Sequence, residues 1–205
     1  MESSHLCHEE IINIDKSTLS NRLITQIHGH KDPDNDLVKN FIKKQFFKKY
    51  NAQINSFMPN LVSITDQKGQ LKAAVGYRNA NQHSLFLEQY LSSPIEDLLS
   101  IQEGHIISRS EIVEVGNLAC VTSGYARIAI IKTTQMLHSA GYKWVVFTLT
   151  KELLNSFKRL NLSPQYLETA KGEKVNTHDN WGSYYETSPT VMYGNIKTGL
   201  SLLQC

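Results

Sequence analysis

Between Ile112 and Leu149 the chain repeats an order that few architectures can accept. Ile112–Val121 is a long, mostly apolar segment, and Trp144–Leu149 is a second with the composition of a buried strand. Between them Ser123-Gly124 opens a segment in which Ile128, Ile131, Gln135 and Leu137-His138 recur at three- and four-residue intervals, up to Gly141. That spacing marks one buried face of a helix. A strand, an amphipathic helix and another strand in succession place the chain in the mixed α/β class, with a central sheet. The remainder agrees. A strand is expected at Arg22–His28, a helix from Asp32-Pro33-Asp34 to Tyr50, and strands at Leu61–Thr65 and Leu71–Tyr77 joined by Asp66-Gln67-Lys68-Gly69. A short helix follows Ser93-Pro94, another spans Lys151–Leu160, a loop runs from Lys171 to Asn180, and a last strand covers Thr190–Ile196. Leu85–Leu91 is ambiguous.

At 205 residues the chain is one domain's worth. Residues 1–20 are expected to be a flexible lead-in and 21–205 a single domain. His5, Cys7 and His8 lie in that lead-in and lack a second pair at ligand spacing, so no metal site is expected there. A net charge of +2 argues against a nucleic-acid binder. The longest apolar runs have four residues, against the ~20 that a spanning helix needs. The start shows no basic n-region and no apolar h-region, and three cysteines make no disulfide framework. Both features lead to the expectation of a cytoplasmic protein.

Four segments carry possible chemistry. Glu114 stands within the apolar strand, where desolvation lifts a carboxylate toward the range of a general base. The alternative is a structural ion pair with Arg109, Arg127 or Arg78. Gly116 inside the same strand marks a bulge or a close backbone approach. Val121-Thr122-Ser123-Gly124-Tyr125-Ala126-Arg127 offers free amides at a helix start, suited to phosphate or simply to a capped helix. Lys39, Lys43, Lys44, Lys48 and Lys49 beside Phe41, Ile42, Phe46 and Phe47 fit either an anionic membrane surface or a helix docked on the sheet. Asp179–Glu186, with Trp181, Tyr184 and Tyr185, can wall a pocket or cap a core. The sequence holds no P-loop, no dinucleotide fingerprint, no His-Glu-x-x-His and no Gly-x-Ser-x-Gly.

The second half resembles the bacterial thermostable hemolysin family, through Glu114-Val115-Gly116-Asn117-Leu118-Ala119, Val146-Phe147-Thr148, Phe157-Lys158-Arg159-Leu160-Asn161-Leu162-Ser163-Pro164 and Trp181-Gly182-Ser183-Tyr184-Tyr185-Glu186. That family is similar to GNAT acyltransferases and acyl-homoserine-lactone synthases. The resemblance implies a single GNAT-like α/β domain, with helices on both faces of a mixed sheet. It also implies that Val113–Cys120 and Trp144–Leu149 are adjacent, parallel and splayed at one end around a thioester's pantetheine arm. Val113, Val115, Leu118, Phe147 and Thr148 would then contact the donor. The pyrophosphate loop would be Val121, Gly124 and Ala126, with Arg127 nearby. Phe157 takes the position of a thiolate-protonating Tyr, which it cannot replace chemically.

The related synthases carry Glu-x-Ser-Arg on this strand; here Glu114 is kept and Asn117 replaces the Arg. The function implied is transfer of an acyl group from a coenzyme A or acyl-carrier-protein phosphopantetheine thioester to the amine of a small molecule. Glu114 would act as base through a water, with Cys120 as acid, covalent relay or plain packing, and Tyr184 or Tyr185 as acid. No tightly bound cofactor and no metal are expected. The alternative, taken from the family name, is a membrane-active haemolytic protein whose lysine-rich helix binds a membrane surface weakly.

Overall fold

The computed structural model describes residues 22–82, 84–176 and 178–203; the lead-in, with His5, Cys7 and His8, lies outside them. Its strands are β1 (Ile24–His28), β2 (Asn60–Thr65), β3 (Leu71–Asn79), β4 (Ile112–Cys120), β5 (Trp144–Leu149), β6 (Gln165–Thr169) and β7 (Thr190–Asn195). The helices are α1 (Asn35–Tyr50), α2 (Ile95–Glu103), α3 (Ser123–Ser139), α4 (Lys151–Lys158) and α5 (Ile196–Leu203). One seven-stranded sheet runs in the order β1-β2-β3-β4-β5-β7-β6. Every neighbouring pair is antiparallel except β4 and β5, which are parallel. The crossover through α3 makes them so.

Helices cover both faces. On one, Val38, Ile42 and Phe46 of α1 pack on Leu61, Ala74 and Ala119. Beside them α2 and a 3-10 turn at Phe86–Tyr90 cover Ile112, Trp144, Val146 and Tyr193. On the other face Ala129 of α3 meets Ile64 and Ala73, and Leu137 meets Val113 and Ile196. The buried face of α3 is Ala126, Ala129, Ile130, Thr133 and Leu137; of the stripe that the spacing predicts, only Leu137 lies on it, while Ile128 and Ile131 are half-buried. Two alanines let the helix sit close to the sheet, and Gln135 is left in solvent. β6 and α5 are further elements that the sequence reading lacks.

The β4–β5 pairing begins at Ile112/Trp144 and stops at Val115/Phe147, although both strands continue. The cause lies in β4. Against β3 its register runs from Gly76/Gly116 to Ala74/Ala119, so Asn117 and Leu118 together oppose the single Val75. Asn117 adopts φ +51°, the left-handed region. Such a bulge bends and twists its strand, and here it swings the end of β4 away from β5. The bulge also resets alternation, so Leu118 and Cys120 pack near α3 while Ala119 faces α1.

Candidate functional site

A cavity of about 450 Å³ passes through the opening between the two strands, a volume ordinary for small-molecule sites. At one end its wall is aromatic, formed by Phe46, Tyr50, Phe86, Tyr90, Trp181 and Tyr184. Toward α3 and α4 it becomes aliphatic, with Ala126, Ala129, Ile130, Leu137 and Leu153 joined by Phe157. Glu114 lies in this wall just before the strands part.

Glu114 is 2% exposed. Its two carboxylate oxygens accept from the backbone N–H groups of Phe86 and Leu87, each at 2.9 Å. Burial raises its pKa to about 7, against the lowering pull of those two amides and of Arg78. Arg109, one of the arginines expected as its partner, binds elsewhere. It grips Glu88 at 2.6 and 2.7 Å, Glu96 at 2.5 Å and the Ala80 carbonyl at 2.7 Å. Burial works against the Glu88 charge, yet Arg109 and the amides of Leu85 and Ile95 hold its pKa below the usual carboxylate range. This network anchors the 3-10 turn that presents the Phe86 and Leu87 amides. Glu114 is therefore oriented by backbone and kept near neutrality by desolvation, with lone pairs to spare for a water or an amine.

The aromatic end is built by the loop after β6. Asp179 accepts from the amides of Asn55 and Ser56, Asn180 bridges Gln53, and Ser183 N–H donates to the Tyr50 carbonyl at 2.9 Å. Gly182, at φ +52°, passes so close that a Cβ would stand 2.0 Å from that carbonyl oxygen. Only glycine permits the contact. The loop so docked brings Tyr184 edge-on to Tyr50, with ring centroids 5.2 Å apart, and Tyr185 to the Tyr90 hydroxyl at 2.7 Å. Burial, then Tyr50 and Tyr185, push the Tyr184 pKa up. Its hydroxyl has no hydrogen-bond partner among the described residues. Two buried polar atoms in the cavity wall, Trp181 Nε1 and Thr133 Oγ1, also have none.

Of the residues picked from sequence, Glu114, Val115, Asn117, Leu118, Cys120, Val121, Ala126, Phe147, Thr148, Phe157 and Tyr184 line the cavity. Val113 does not: it points to the α3 face and packs on Leu137 and Ile196. Gly124 and Arg127 stand beside the α3 end, outside the wall that Thr122, Ser123 and Ala126 form. Asn117 holds backbone, accepting from Met58 N–H at 2.8 Å and donating to the Ser56 carbonyl at 3.3 Å. Met58 thereby lies over the paired Gly76 and Gly116, its Cβ close above the first and its Cε end above the second. Burial raises the Cys120 thiol pKa, which suits packing or proton donation better than nucleophilic attack. Phe157 stacks on Phe147 at 5.1 Å. Tyr50, Met58, Phe86, Tyr90 and Thr133 also line the wall; no motif marks them, because only tertiary packing brings them here.

A mixed sheet that opens between its one parallel pair, with helices on both faces, is the GNAT-like acyltransferase fold. Solved structures agree in architecture. FeeM, an N-acyl amino acid synthase from uncultured soil microbes, is similar at TM-score 0.60 and 10% identity, over 87% of this chain and 98% of its own. TofI, in a ternary complex with an inhibitor and MTA, gives TM-score 0.59 at 13% identity, over 88% and 96%. BjaI, a CoA-dependent acyl-homoserine lactone synthase with SAM and isopentyl-CoA, gives 0.59 at 10% identity, over 89% and 88%. The chain itself belongs to the thermostable hemolysin family, whose model matches residues 28–200. Among curated protein sequences nothing matches it.

Proposed function

We propose that this protein is an N-acyltransferase, moving an acyl group from a coenzyme A or acyl-carrier-protein thioester to the amine of a small molecule. The observation that carries the reading is the cavity through the β4–β5 opening with Glu114 buried at its edge. The names of FeeM and BjaI, which share this fold, both denote synthases that join an acyl group to an amine-bearing molecule. The unpartnered Trp181 Nε1 and Thr133 Oγ1 support a ligand in the same space, since buried polar groups are ordinarily satisfied.

In this reading the acceptor amine lies at the aromatic end and the acyl chain at the aliphatic end. Glu114, through a water, takes a proton from the acceptor ammonium. The freed lone pair attacks the thioester carbonyl carbon, and strand amides left unpaired by the opening polarise that carbonyl. As the C–N bond forms and the C–S bond breaks, the thiolate takes the second amine proton, with the Tyr184 hydroxyl at hand as donor. Donor phosphate lies at the start of α3, where Val121, Thr122 and Ser123 border the cavity. Asn117 acts as a positioning residue, through the Met58 segment.

The test is turnover of acyl-CoAs of graded chain length, and of acylated carrier proteins in parallel, with a panel of small amines. Amine-dependent thiol release and an N-acyl product identified by mass are expected, both lost in Glu114→Gln. Folded protein that releases no thiol with either donor, or only hydrolyses it, overturns the proposal. Nothing favours the haemolytic reading over this one: the apolar residues Val38, Ile42 and Phe46 of the lysine-rich α1 are spent on the sheet. No helix among the described residues is long and apolar enough to cross a membrane.

A further inference from the structure

The turn between β1 and α1 gathers three ligand-type side chains that acyl transfer does not use. His28 ends β1, Asp32 follows in the turn, and Asp34 stands at the N-cap of α1. One ligand atom from each lies within 4.8 Å of the others.

Acidic residues crowd on many surfaces, so what their neighbours do decides the matter. The His28 ring is 2% exposed, and its Nε2 is held by Ser63 Oγ at 2.8 Å. Its Nδ1 stands at ion-pair distance from Asp32 Oδ2, 3.2 Å, but in a geometry that makes no hydrogen bond. A buried imidazole nitrogen is ordinarily hydrogen-bonded. Asp34 has helical backbone and makes no cap bond of its own, since Asp32 does the capping; its carboxylate is left to converge on His28 and Asp32. The second Asp32 oxygen accepts from Asp34 N–H at 2.8 Å, which orients that carboxylate. Asn35 Oδ1, one residue on, is also buried without a partner. Among the described residues no lysine or arginine pairs with Asp32 or Asp34.

We propose that His28 Nδ1, Asp32 and Asp34 bind one divalent transition-metal ion of the Zn²⁺ or Mn²⁺ kind. One imidazole with two carboxylates suits such borderline cations better than Ca²⁺ or Mg²⁺, which take oxygen sets. Metal–ligand bonds of ~2.0–2.2 Å place neighbouring ligand atoms roughly 3–4 Å apart; His28 Nδ1 and Asp32 Oδ2 stand at 3.2 Å, and the Asp34 carboxylate, within 4.8 Å of both, closes on them when the ion binds. The Ser63 bond to Nε2 is the supporting contact that metal-bound imidazoles generally have. Asp34 is exposed, so the ion enters from solvent and keeps water on its remaining positions. It fastens the outermost strand to the start of α1, and the site is structural.

The test uses full-length protein stripped with EDTA and titrated calorimetrically with ZnCl₂ and with MnCl₂, alongside thermal unfolding. Because His5, Cys7 and His8 are also ligand types, the same titration is made on a His5→Ala/Cys7→Ser/His8→Ala background. One ion per chain and a raised Tm are expected on that background. Adding Asp34→Ala, which removes an exposed carboxylate, should weaken binding ~10–100-fold and leave the metal-free Tm unchanged. Absence of stoichiometric binding by the triple variant, or equal affinity with and without Asp34→Ala, overturns the site.

Discussion

Glu114 is held between burial, which favours its neutral form, and two amides, which favour the charged one. Burial wins, and the consequences reach both stability and rate. With a folded value of about 7 against an ordinary 4.5, the native protein keeps a proton over that window which the unfolded chain has lost. The stabilisation is complete below about 4.5 and is withdrawn as pH rises through about 7, a change on the order of 3 kcal/mol. Urea unfolding at pH 5 and pH 8 should show this slope in the parent and lose it in Glu114→Gln. Acyl transfer should rise with pH through the same range, and Glu114→Gln should lower it by ~10²–10⁴-fold; a variant that folds and turns over at the parent's rate removes Glu114 from the chemistry. Gly124 tests the donor end. It has helical backbone and only Thr122 Oγ1, at 3.7 Å, near the place of a Cβ, so the fold does not require glycine. Gly124→Glu should leave stability within about 0.5 kcal/mol, as surface substitutions do, while calorimetry shows coenzyme A binding lost. Unaltered binding would mean that no phosphate sits at this turn.

At the scale of elements, the cover over the β4 bulge distinguishes two glycines that look alike in sequence. A Cβ on Gly76 would meet Met58 Cβ at 2.6 Å, and one on Gly116 would meet Met58 Cε at 2.6 Å. The first contact is close to rigid backbone, whereas the second is with the free end of a flexible side chain. Gly76→Ala is therefore expected to cost ~1–3 kcal/mol in urea unfolding, and Gly116→Ala clearly less. The helix α1 gives a prediction of the opposite kind. Lys43 is engaged with Asn55 and Lys49 with Glu152, so flotation with anionic vesicles should find weak, salt-sensitive binding that Lys43→Glu with Lys48→Glu removes. Tight binding with leakage would restore the haemolytic reading. The same elements show what was legible beforehand. β4 and β5 were readable because both are mostly apolar segments flanked by turns, and Glu114 because a carboxylate is costly in such a segment. β6 was not, since Gln165-Tyr166-Leu167-Glu168-Thr169 is an edge strand with its first two residues exposed and no alternation to find. α5 was hidden because Ile196 reads as the end of β7, and the helix is eight residues long with Gly199 inside. The amides on Glu114 come from 27 and 28 residues away, a distance at which only tertiary packing decides.

Over the whole molecule, β1 to β4 form one stretch of sheet and β5, β7 and β6 another, sewn together from Ile112/Trp144 to Val115/Phe147. The seam is secured at the Ile112 end, where Trp144, Val146 and Tyr193 are buried with it. Beyond Val115/Phe147 no ladder pairing joins the two strands among the described residues, and the exposed Lys49–Glu152 ion pair spans the gap between their covering helices. Such a protein is a book bound at one corner, and its pages should part in solution more readily than either page unfolds. Amide exchange should accordingly be faster at Phe147–Leu149 and Leu118–Cys120 than at Val62–Ile64, and an acyl thioester should slow the first two selectively. Uniform exchange across the sheet would refute this. A molecule placed between the pages becomes the missing binding, so the substrate doubles as a part of the fold. Heat tolerance would then belong to the loaded protein, and a preparation freed of small molecules should melt earlier than one taken directly from cells.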